Sequence, residues 1–391
     1  MIIKIKIRYT KQYEVFVSRR EAMIIRNGMV FGNNRKFEQR DLYIANGRIA
    51  AEESQVTDAE VIEVEGLYVV PGLIDIHSHG AVGYDFSDAD ILGLQKILAY
   101  EFSCGVTSYC PTSMTLPKEQ LLEIVSTVNK ISSQENLAEI AGIHMEGPFI
   151  DVKKKGAHMQ VHICEPDISF FKECMKKSGN QIRLVTIAPN IQGAIEFIRE
   201  VKDETVVSLG HTAVDYETAK AALKAGACHV THLYNAMEVF SHRAPGLIGA
   251  AAETEGCMVE LICDGIHVHE SVVRATFKMF KDRVVLISDS IRATGMPDGI
   301  YELGGQQVQV CNGKAVLNDG TIAGSVTNLF EGMKKAVTFG IPLEDAVAAV
   351  TINPAISIGI ADEVGSFLPG KRADVLLINK DLELVRVIKG K

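Results

Sequence analysis

The sequence predicts an α/β fold: a (β/α)8 TIM-like barrel with a small β domain built from the N- and C-terminal segments. Two observations predict the barrel. After residue 72, eight short apolar runs rich in β-branched residues alternate with amphipathic stretches. No glycine-rich dinucleotide turn follows the first run, although a doubly wound sheet is the alternative for such an alternation. Eight strand–helix units are typical of a closed parallel barrel.

The predicted barrel spans residues 72–361. Its strands are predicted, in chain order, at residues 72–77, 106–112, 140–147, 182–189, 205–211, 228–235, 258–265 and 283–290. Helical stretches lie between most of these runs, among them "PKEQLLEIVSTVNKIS" and "DYETAKAALKAG". The second stretch has apolar residues three and four positions apart and stops at a glycine, as amphipathic helices do.

The two ends of the chain have a different pattern. Residues 23–71 alternate short strand patterns with turns, and residues 362–391 are strand-like again. Neither segment is long enough to hold a core alone, so we expect them to pair into one small β domain. Residues 1–22 precede the first strand pattern and form an extra N-terminal segment of unknown role.

Charge and cysteine usage limit the possible partners. The chain has 40 basic and 49 acidic residues, a formal charge of −9, which argues against nucleic acid or an anionic membrane as the main partner. Its eight cysteines form no CxxC pair, and no apolar run reaches the 18 residues of a membrane helix. The first residues lack the apolar core of a signal peptide. We therefore expect free thiols and a cytoplasmic location.

Six polar residues stand at or just after the ends of five predicted strands. They are His77 and His79 on the first run, Glu146 on the third, His211 on the fifth, His232 on the sixth and Asp289 on the eighth. Barrel enzymes build their sites at the C-terminal ends of the strands, so these groups are expected to converge. Imidazole and carboxylate together favour a divalent metal, zinc or iron. His144, two residues before Glu146, is interpreted as structural, its imidazole donating to a backbone carbonyl.

Longer motifs carry a resemblance to a known family. The segments are "PGLIDIHSHG", "HMEGPFI", "KKGAHM", "LGHTAVDY", "THLYNAM", "HRAPGLIG", "CDGIHV", "SDSIRATGMPDG" and "TIAGS". In this order, from about residue 23 to the end, they resemble the N-acetylglucosamine-6-phosphate deacetylases of the amidohydrolase superfamily. HxH alone is generic to that superfamily, whereas the combination of HMEGP, LGHT and THLYNAM is far more specific.

The resemblance implies roles for the strand-end residues. Glu146, His211 and His232 match the ligands of a primary metal. His77 and His79 match the ligands of a second metal that some members have lost, so one or two ions per chain are implied. Asp289 matches the catalytic acid/base, which would accept the proton of the attacking water and deliver it to the departing amine.

The resemblance also implies a substrate. That substrate is the small molecule N-acetylglucosamine 6-phosphate, hydrolysed to glucosamine 6-phosphate and acetate in amino-sugar catabolism. Arg243 would bind the phosphate from the neighbouring subunit, which implies a homodimer. The substrate-contact positions are Ala157, His158, Asn235, Ala236, Arg243, Asp264, Gly265, Ile266, His267, Ile322, Ala323 and Gly324.

Other readings stay open. N-acetylgalactosamine 6-phosphate differs from the glucose-derived substrate only at C4, and the sequence does not decide between them. Dihydroorotase- and hydantoinase-like enzymes use a carboxylated lysine at the end of strand 4, but "IRLVTIAPN" has no lysine. A deaminase would share HxH, His and Asp, but the HMEGP segment and Arg243 argue against it. A catalytically inactive barrel scaffold would be expected to have lost ligands, and none is missing.

Overall fold

The computed structural model describes residues 22–390. The strands of this part are β1 (Ala22–Phe31), β2 (Phe37–Ala45), β3 (Arg48–Ala50), β4 (Glu60–Glu63), β5 (Tyr68–Pro71), β6 (Leu73–Ser78), β7 (Gly80–Ala81), β8 (Tyr84–Asp85), β9 (Val106–Ser113), β10 (Glu139–Ile140), β11 (Ile143–Glu146), β12 (Ile182–Ile187), β13 (Val206–Leu209), β14 (His229–Val230), β15 (Met258–Ile262), β16 (Val284–Ile287), β17 (Gly299–Leu303), β18 (Gln306–Cys311), β19 (Lys314–Leu317), β20 (Val375–Ile378) and β21 (Leu384–Ile388). The α-helices are α1 (Ile91–Ser103), α2 (Lys118–Thr127), α3 (Ile168–Lys177), α4 (Ala194–Val201), α5 (Tyr216–Ala225), α6 (Gly246–Glu253), α7 (Glu270–Phe280), α8 (Leu329–Thr338), α9 (Leu343–Val350) and α10 (Ile352–Ser357).

Eight parallel strands form the barrel. They pair in the order β6, β9, β11, β12, β13, β14, β15, β16, and the short strand β10 also pairs with β9. The backbone N–H of Asp289 donates to the carbonyl of His77 at 2.9 Å, which links the end of the eighth strand to the first. Each predicted run overlaps one of these strands, and the predicted barrel fold is confirmed.

The predicted helices follow local signals in the sequence. Helix α5 begins after Asp215, whose side chain accepts a hydrogen bond from the backbone N–H of Thr218 at 2.8 Å. It ends at Gly226, which has a φ of 132° that a side chain would strain. Helix α2 begins directly after Pro117, which has no N–H to leave unpaired.

Both ends of the described chain lie in a second sheet. Its order is β21, β20, β5, β1, β2, β3, with β4 paired to β1. Strand β20 runs antiparallel to β5, so the N- and C-terminal segments share one core that includes Ile25, Val69 and Val375. This confirms the expected sheet built from both ends. The domain limits at residues 72 and 361 stay a prediction, and residues 1–21 of the predicted extra segment lie outside the described residues.

A three-stranded antiparallel sheet, β17–β19, follows the eighth barrel strand and is not predicted above. Its two tight turns contain Gly304–Gly305 and Asn312–Gly313, all with positive φ. Such pairs favour two-residue hairpin turns, so the signal was present in the sequence. Among the described residues, no helix combines the length and apolar character needed to cross a membrane.

Candidate metal centre

The six strand-end residues predicted to converge do so at the C-terminal mouth of the barrel. All of them are buried. They are His77, His79, Glu146, His211, His232 and Asp289. The groups that could hold a metal ion among the described residues include His77, His79 and Glu146 together. The convergence follows from the fold, because all parallel strands of a barrel end at the same face.

Glu146 is the centre of this cluster, and its two oxygens face different histidines. Oε1 lies 3.1 Å from Nε2 of His211 and 3.0 Å from Nε2 of His232. Oε2 lies 3.2 Å from Nε2 of His79 and 3.5 Å from Nε2 of His77. One carboxylate therefore separates two histidine pairs, with one oxygen directed to each.

Asp289 lies beside the histidine pair that follows from the first barrel strand, His77 and His79. Its Oδ1 is 3.3 Å from Nε2 of His79 and 3.5 Å from Nε2 of His77. The backbone of Gly324 approaches Asp289 closely. A Cβ built on that glycine would lie 3.0 Å from the carbonyl oxygen of Asp289. Gly324 also has a φ of 60°, so this position requires a residue without a side chain.

Three of the converging residues have backbone conformations that non-glycine residues rarely adopt. The φ angles are 46° for His211, 26° for His232 and 48° for Asp289. Each residue stands just beyond the end of its strand, where the chain must turn to aim the side chain inward. Strained backbone of this kind clusters at functional sites because the surrounding structure must hold it.

The donor set fits a divalent metal ion. The Nε2 atoms of His211 and His232 are 3.1 Å apart, and both lie beside one carboxylate oxygen. On the other side, the buried Nε2 of His77 has no hydrogen-bond partner within the described part of the chain. Converging imidazole nitrogens and carboxylate oxygens are the ligands of zinc and of non-haem iron.

Charges at the mouth favour ionised carboxylates. Burial raises the pKa of Glu146, but the charge of His77 and the hydrogen bond from His158 outweigh it, and the pKa lies well below its usual value. The pKa of Asp289 is also lowered, since His77 and His79 outweigh the effect of burial. Glu146 and Asp289 are therefore ionised, and their oxygens are available as ligands for a cation.

His158 lies beside the four histidines of the centre, and a backbone contact sets its tautomer. Its Nδ1 accepts the backbone N–H of Thr115 at 3.1 Å, so the proton of the neutral ring is on Nε2. That Nε2 lies 3.5 Å from Oε2 of Glu146. Burial lowers the pKa of His158 to about 4. The residue therefore presents an N–H donor to the centre rather than a lone pair.

Other predicted substrate positions surround the mouth in short loops. After β15, Oδ2 of Asp264 lies 2.7 Å from Nδ1 of His267, which leaves Nε2 of the imidazole as an acceptor. The backbone N–H of Ile266 donates to the same aspartate at 2.8 Å, with Gly265 at the turn. Nδ2 of Asn235 donates to backbone carbonyls of its own loop.

Three of the remaining positions are held by the extra sheet, and the fourth by the loop after β13. The carbonyl of Ala157 accepts a hydrogen bond from Nε2 of Gln306 at the start of β18. The N–H of Ala323 donates to a carbonyl of β19 at 3.1 Å, and Ile322 forms an isolated bridge with the same strand. The carbonyl of Ala236 accepts the N–H of Thr212 at 3.0 Å. The sheet therefore supports the rim of the mouth.

Arg243 is the predicted substrate residue that the structure does not bring into this cluster. It lies exposed in the loop between β14 and α6, beside the exposed residues Val239 and Phe240. Among the described residues, no hydrogen bond or ion pair of its guanidinium is found. A role in phosphate binding therefore requires a second chain or a movement of the loop.

Sequence reasoning missed one residue of the centre and misplaced the bond of another. Glu260 is fully buried and lies 2.8 Å from Nδ1 of His77. A single acidic residue inside the apolar run "MVELI" was the available signal. His144 was expected to donate to a backbone carbonyl, but its Nε2 lies 2.8 Å from the hydroxyl of Thr186.

Comparison with known proteins identifies the family of the chain. Residues 68–390 match the Amidohydrolase family. The chain is 35% identical to N-acetylglucosamine-6-phosphate deacetylase of Bacillus subtilis, over 94% of this chain and 96% of that protein. The chain belongs to the N-acetylglucosamine-6-phosphate deacetylase family of amidohydrolases. The resemblance seen in the sequence is thereby confirmed.

Two further relatives bear on this family's substrate and fold. N-acetylgalactosamine-6-phosphate deacetylase of Escherichia coli O157:H7 is 33% identical, over 90% of this chain and 93% of that protein. The structure of a variant N-acetyl-D-glucosamine-6-phosphate deacetylase from Mycobacterium smegmatis, in complex with N-acetyl-D-glucosamine-6-phosphate, superimposes with a TM-score of 0.87. It shares 31% identity and covers 94% of this chain and 98% of that one.

Proposed function

We propose that this protein hydrolyses the acetamide of N-acetylglucosamine 6-phosphate, releasing acetate and glucosamine 6-phosphate in amino-sugar catabolism. The observation that carries the proposal is Glu146, whose two oxygens face two separate histidine pairs within 3.5 Å. This arrangement would suit one or two divalent ions, zinc or iron, with Glu146 among their ligands. The family membership supplies the substrate class.

Four histidines and Glu146 would hold the metal. His211 and His232 would bind one ion, and His77 and His79 a second. An ion held there would lower the pKa of bound water to about 7 and would polarise the amide carbonyl. An N-acetyl amide is a poor electrophile and water a poor nucleophile at neutral pH, so both effects are needed.

Asp289 would carry the proton. Its lowered pKa keeps the carboxylate ionised at neutral pH, so it can accept a proton from the attacking water. It would return that proton to the amine nitrogen as the carbon–nitrogen bond breaks. The neighbouring Nε2 atoms of His77 and His79, 3.5 and 3.3 Å away, place this carboxylate at the centre.

His158 would stabilise the oxygen of the substrate amide as it gains negative charge. Its Nε2–H is directed toward the centre, because Nδ1 is occupied by the N–H of Thr115. A fixed donor in a buried site is worth more than one in water, since it needs no reorientation during the reaction.

The phosphate would be bound by Arg243 of a second subunit in a homodimer. Arginine's planar fork suits a phosphate dianion. Val239 and Phe240, exposed by 80% and 46%, lie in the same loop and would be covered in such a dimer. The eight cysteines are unpaired, which fits the proposed cytoplasmic location.

Acetate release from three sugars tests the proposed function. Purified, metal-replete protein is incubated with N-acetylglucosamine 6-phosphate, N-acetylgalactosamine 6-phosphate and unphosphorylated N-acetylglucosamine. We expect the highest kcat/KM for the first. A higher value for the galactose-derived phosphate would transfer the assignment to the activity named for the E. coli relative, and no release from any sugar would favour an inactive scaffold.

A further inference from the structure

The carboxylate of Glu260 belongs to neither the predicted ligand set nor the proposed mechanism. Glu260 lies in the middle of β15 and is fully buried between apolar neighbours. Glutamate is almost never fully buried without partners, because removing its charge from water is costly. Its partners therefore indicate why the strand retains it.

Both hydrogen-bond partners of Glu260 belong to the candidate metal ligands, and its Oε1 also lies 3.9 Å from Nδ1 of His229. Oε2 lies 2.8 Å from Nδ1 of His77 and accepts the backbone N–H of His232 at 3.0 Å. Oε2 is thus a hydrogen-bond acceptor, so the proton of a neutral His77 ring is on the Nδ1 that faces it. The lone pair is then on Nε2, the atom that faces Glu146 and Asp289 at 3.5 Å.

Two other candidate ligands, His79 and His211, have weaker hydrogen-bond acceptors at Nδ1. Nδ1 of His79 lies 3.1 Å from the carbonyl of Thr112, and Nδ1 of His211 lies 2.8 Å from the carbonyl of Lys154. Both acceptors are neutral. A charged acceptor fixes the tautomer and ring orientation and makes the opposite nitrogen a stronger ligand. His77 is the ligand for which the structure supplies such an acceptor.

We propose that Glu260 is a positioning residue, which fixes His77 as an Nε2 ligand and so holds an ion at the His77–His79 position. This inference rests on the metal centre proposed above. Glu260 acts through other residues, by its hydrogen bonds to His77 and to the backbone of His232. Removing its charge should therefore weaken one ion and leave the Glu146–His211–His232 position occupied.

Zinc affinity measured by competition with a chelator tests this role. Glu260→Gln keeps the shape of the side chain but removes its charge. We expect one of the two zinc ions to bind about 10- to 100-fold less tightly, the usual cost of removing the hydrogen-bond acceptor behind a metal ligand. Thr127→Ala is the control. Its buried hydroxyl donates to the carbonyl of Ile124 within the outer helix α2, and both ions should stay at wild-type affinity.

The outcomes separate this role from the metal centre itself. Two wild-type ions and an unchanged Glu260→Gln variant would overturn the role of Glu260 alone. A wild-type protein that binds fewer than two ions would overturn the two-ion centre and this inference with it. In a His77→Ala background, Glu260→Gln should have no further effect on zinc affinity.

A second measurement needs no variant at position 260 and so does not depend on its folding. The ¹⁵N shifts of histidine-labelled, zinc-loaded protein report which ring nitrogen of His77 carries the proton, with His77→Ala giving the assignment. We expect a protonated Nδ1 and a metal-bound Nε2. A protonated Nε2, or an unprotonated Nδ1, would overturn the inference.

Discussion

Two groups of buried carboxylates in the barrel differ in their ionisation. Glu146 and Asp289 at the mouth have histidines beside them, and their pKa values are lowered although burial opposes this. Glu101 on α1 and Asp75 on β6 have less compensation. Burial raises the pKa of Glu101 well above its usual value and that of Asp75 to about 6. Burial therefore favours the neutral form of a carboxylate, and the neighbouring histidines are what keep Glu146 and Asp289 ionised.

The largest effect is expected at the mouth, from Asp289→Asn. Asparagine keeps the size of the side chain but cannot accept a proton, so kcat should fall by about 10²- to 10⁴-fold. KM, metal content and the circular dichroism spectrum should stay near wild type. Steady-state kinetics on fully metallated protein provide the measurement.

Asp289→Ala separates a proton carrier from a residue that only orients its neighbours. A proton carrier predicts similar losses for the asparagine and alanine variants, since neither accepts a proton. An orienting role predicts that asparagine, which still forms hydrogen bonds, retains activity within a few-fold of wild type. That second result would remove Asp289 from the proposed mechanism.

Loss of the Arg243 charge, which lies outside both groups of buried carboxylates, should have a smaller effect. Arg243→Ala should raise KM for the phosphorylated sugar by about 10- to 100-fold, since charge-assisted hydrogen bonds contribute about 1.5–3 kcal/mol. The slow turnover of unphosphorylated N-acetylglucosamine should be unchanged. Arg199→Ala, an exposed arginine on the outer helix α4, is the matched control and should leave both sugars unaffected.

Mixing two variants shows which subunit supplies the arginine. In a mixed dimer of Arg243→Ala and Asp289→Asn chains, one site regains both an intact Asp289 and the partner's Arg243 if the arginine acts across the interface. Activity at low substrate concentration should then rise above that of either variant. No rise on mixing, with dimers confirmed by mass, would place Arg243 in its own subunit's site.

The smallest effect is expected at Glu101. Neither of its oxygens has a hydrogen-bond partner within the described chain, so Glu101→Met should be neutral or stabilise the fold by up to about 1–3 kcal/mol. A raised pKa means that the folded state keeps a proton that the unfolded chain releases above pH 4.5. Wild-type stability should therefore fall as the pH rises from 4.5 toward the raised value.

Urea unfolding at pH 5.5 and 8 measures this effect. The gain from Glu101→Met should be larger at pH 8, where the proton costs the wild-type fold more free energy. Glu119→Met, at an exposed glutamate on α2, should show no such difference. A Glu101→Met variant that is less stable than wild type at pH 8 would mean that Glu101 is ionised and paired, and the contrast with Glu146 would fail.

Much of the barrel could be predicted from the sequence because its signals are local. Each strand is an apolar run, and each functional group stands where a run ends, as His77 and Glu146 do. The sheet β17–β19 had its turn residues, but the strand patterns around them are half-exposed and weaker. The separation of the histidines into two pairs about Glu146 depends on three-dimensional packing, and in the sequence it was implied only by the family resemblance.

Contacts between distant strands were the least predictable part of the site. Glu260 lies on β15 and contacts His77 on β6, 183 residues apart, so no spacing rule relates them. The backbone angles that aim His211 and Asp289 likewise arise from the closure of the barrel. Arg243 lies in an exposed loop of the described chain, so its proposed role across a dimer interface stays a prediction.

The number of metal ions per chain tests the central claim most directly. Elemental analysis is performed on protein purified without chelator and equilibrated with zinc, beside the His77→Ala/His79→Ala double variant. A carboxylate with one oxygen directed to each histidine pair predicts two ions per chain in the wild type and one in the double variant. One ion or fewer in the wild type, or an unchanged content in the double variant, would contradict the account.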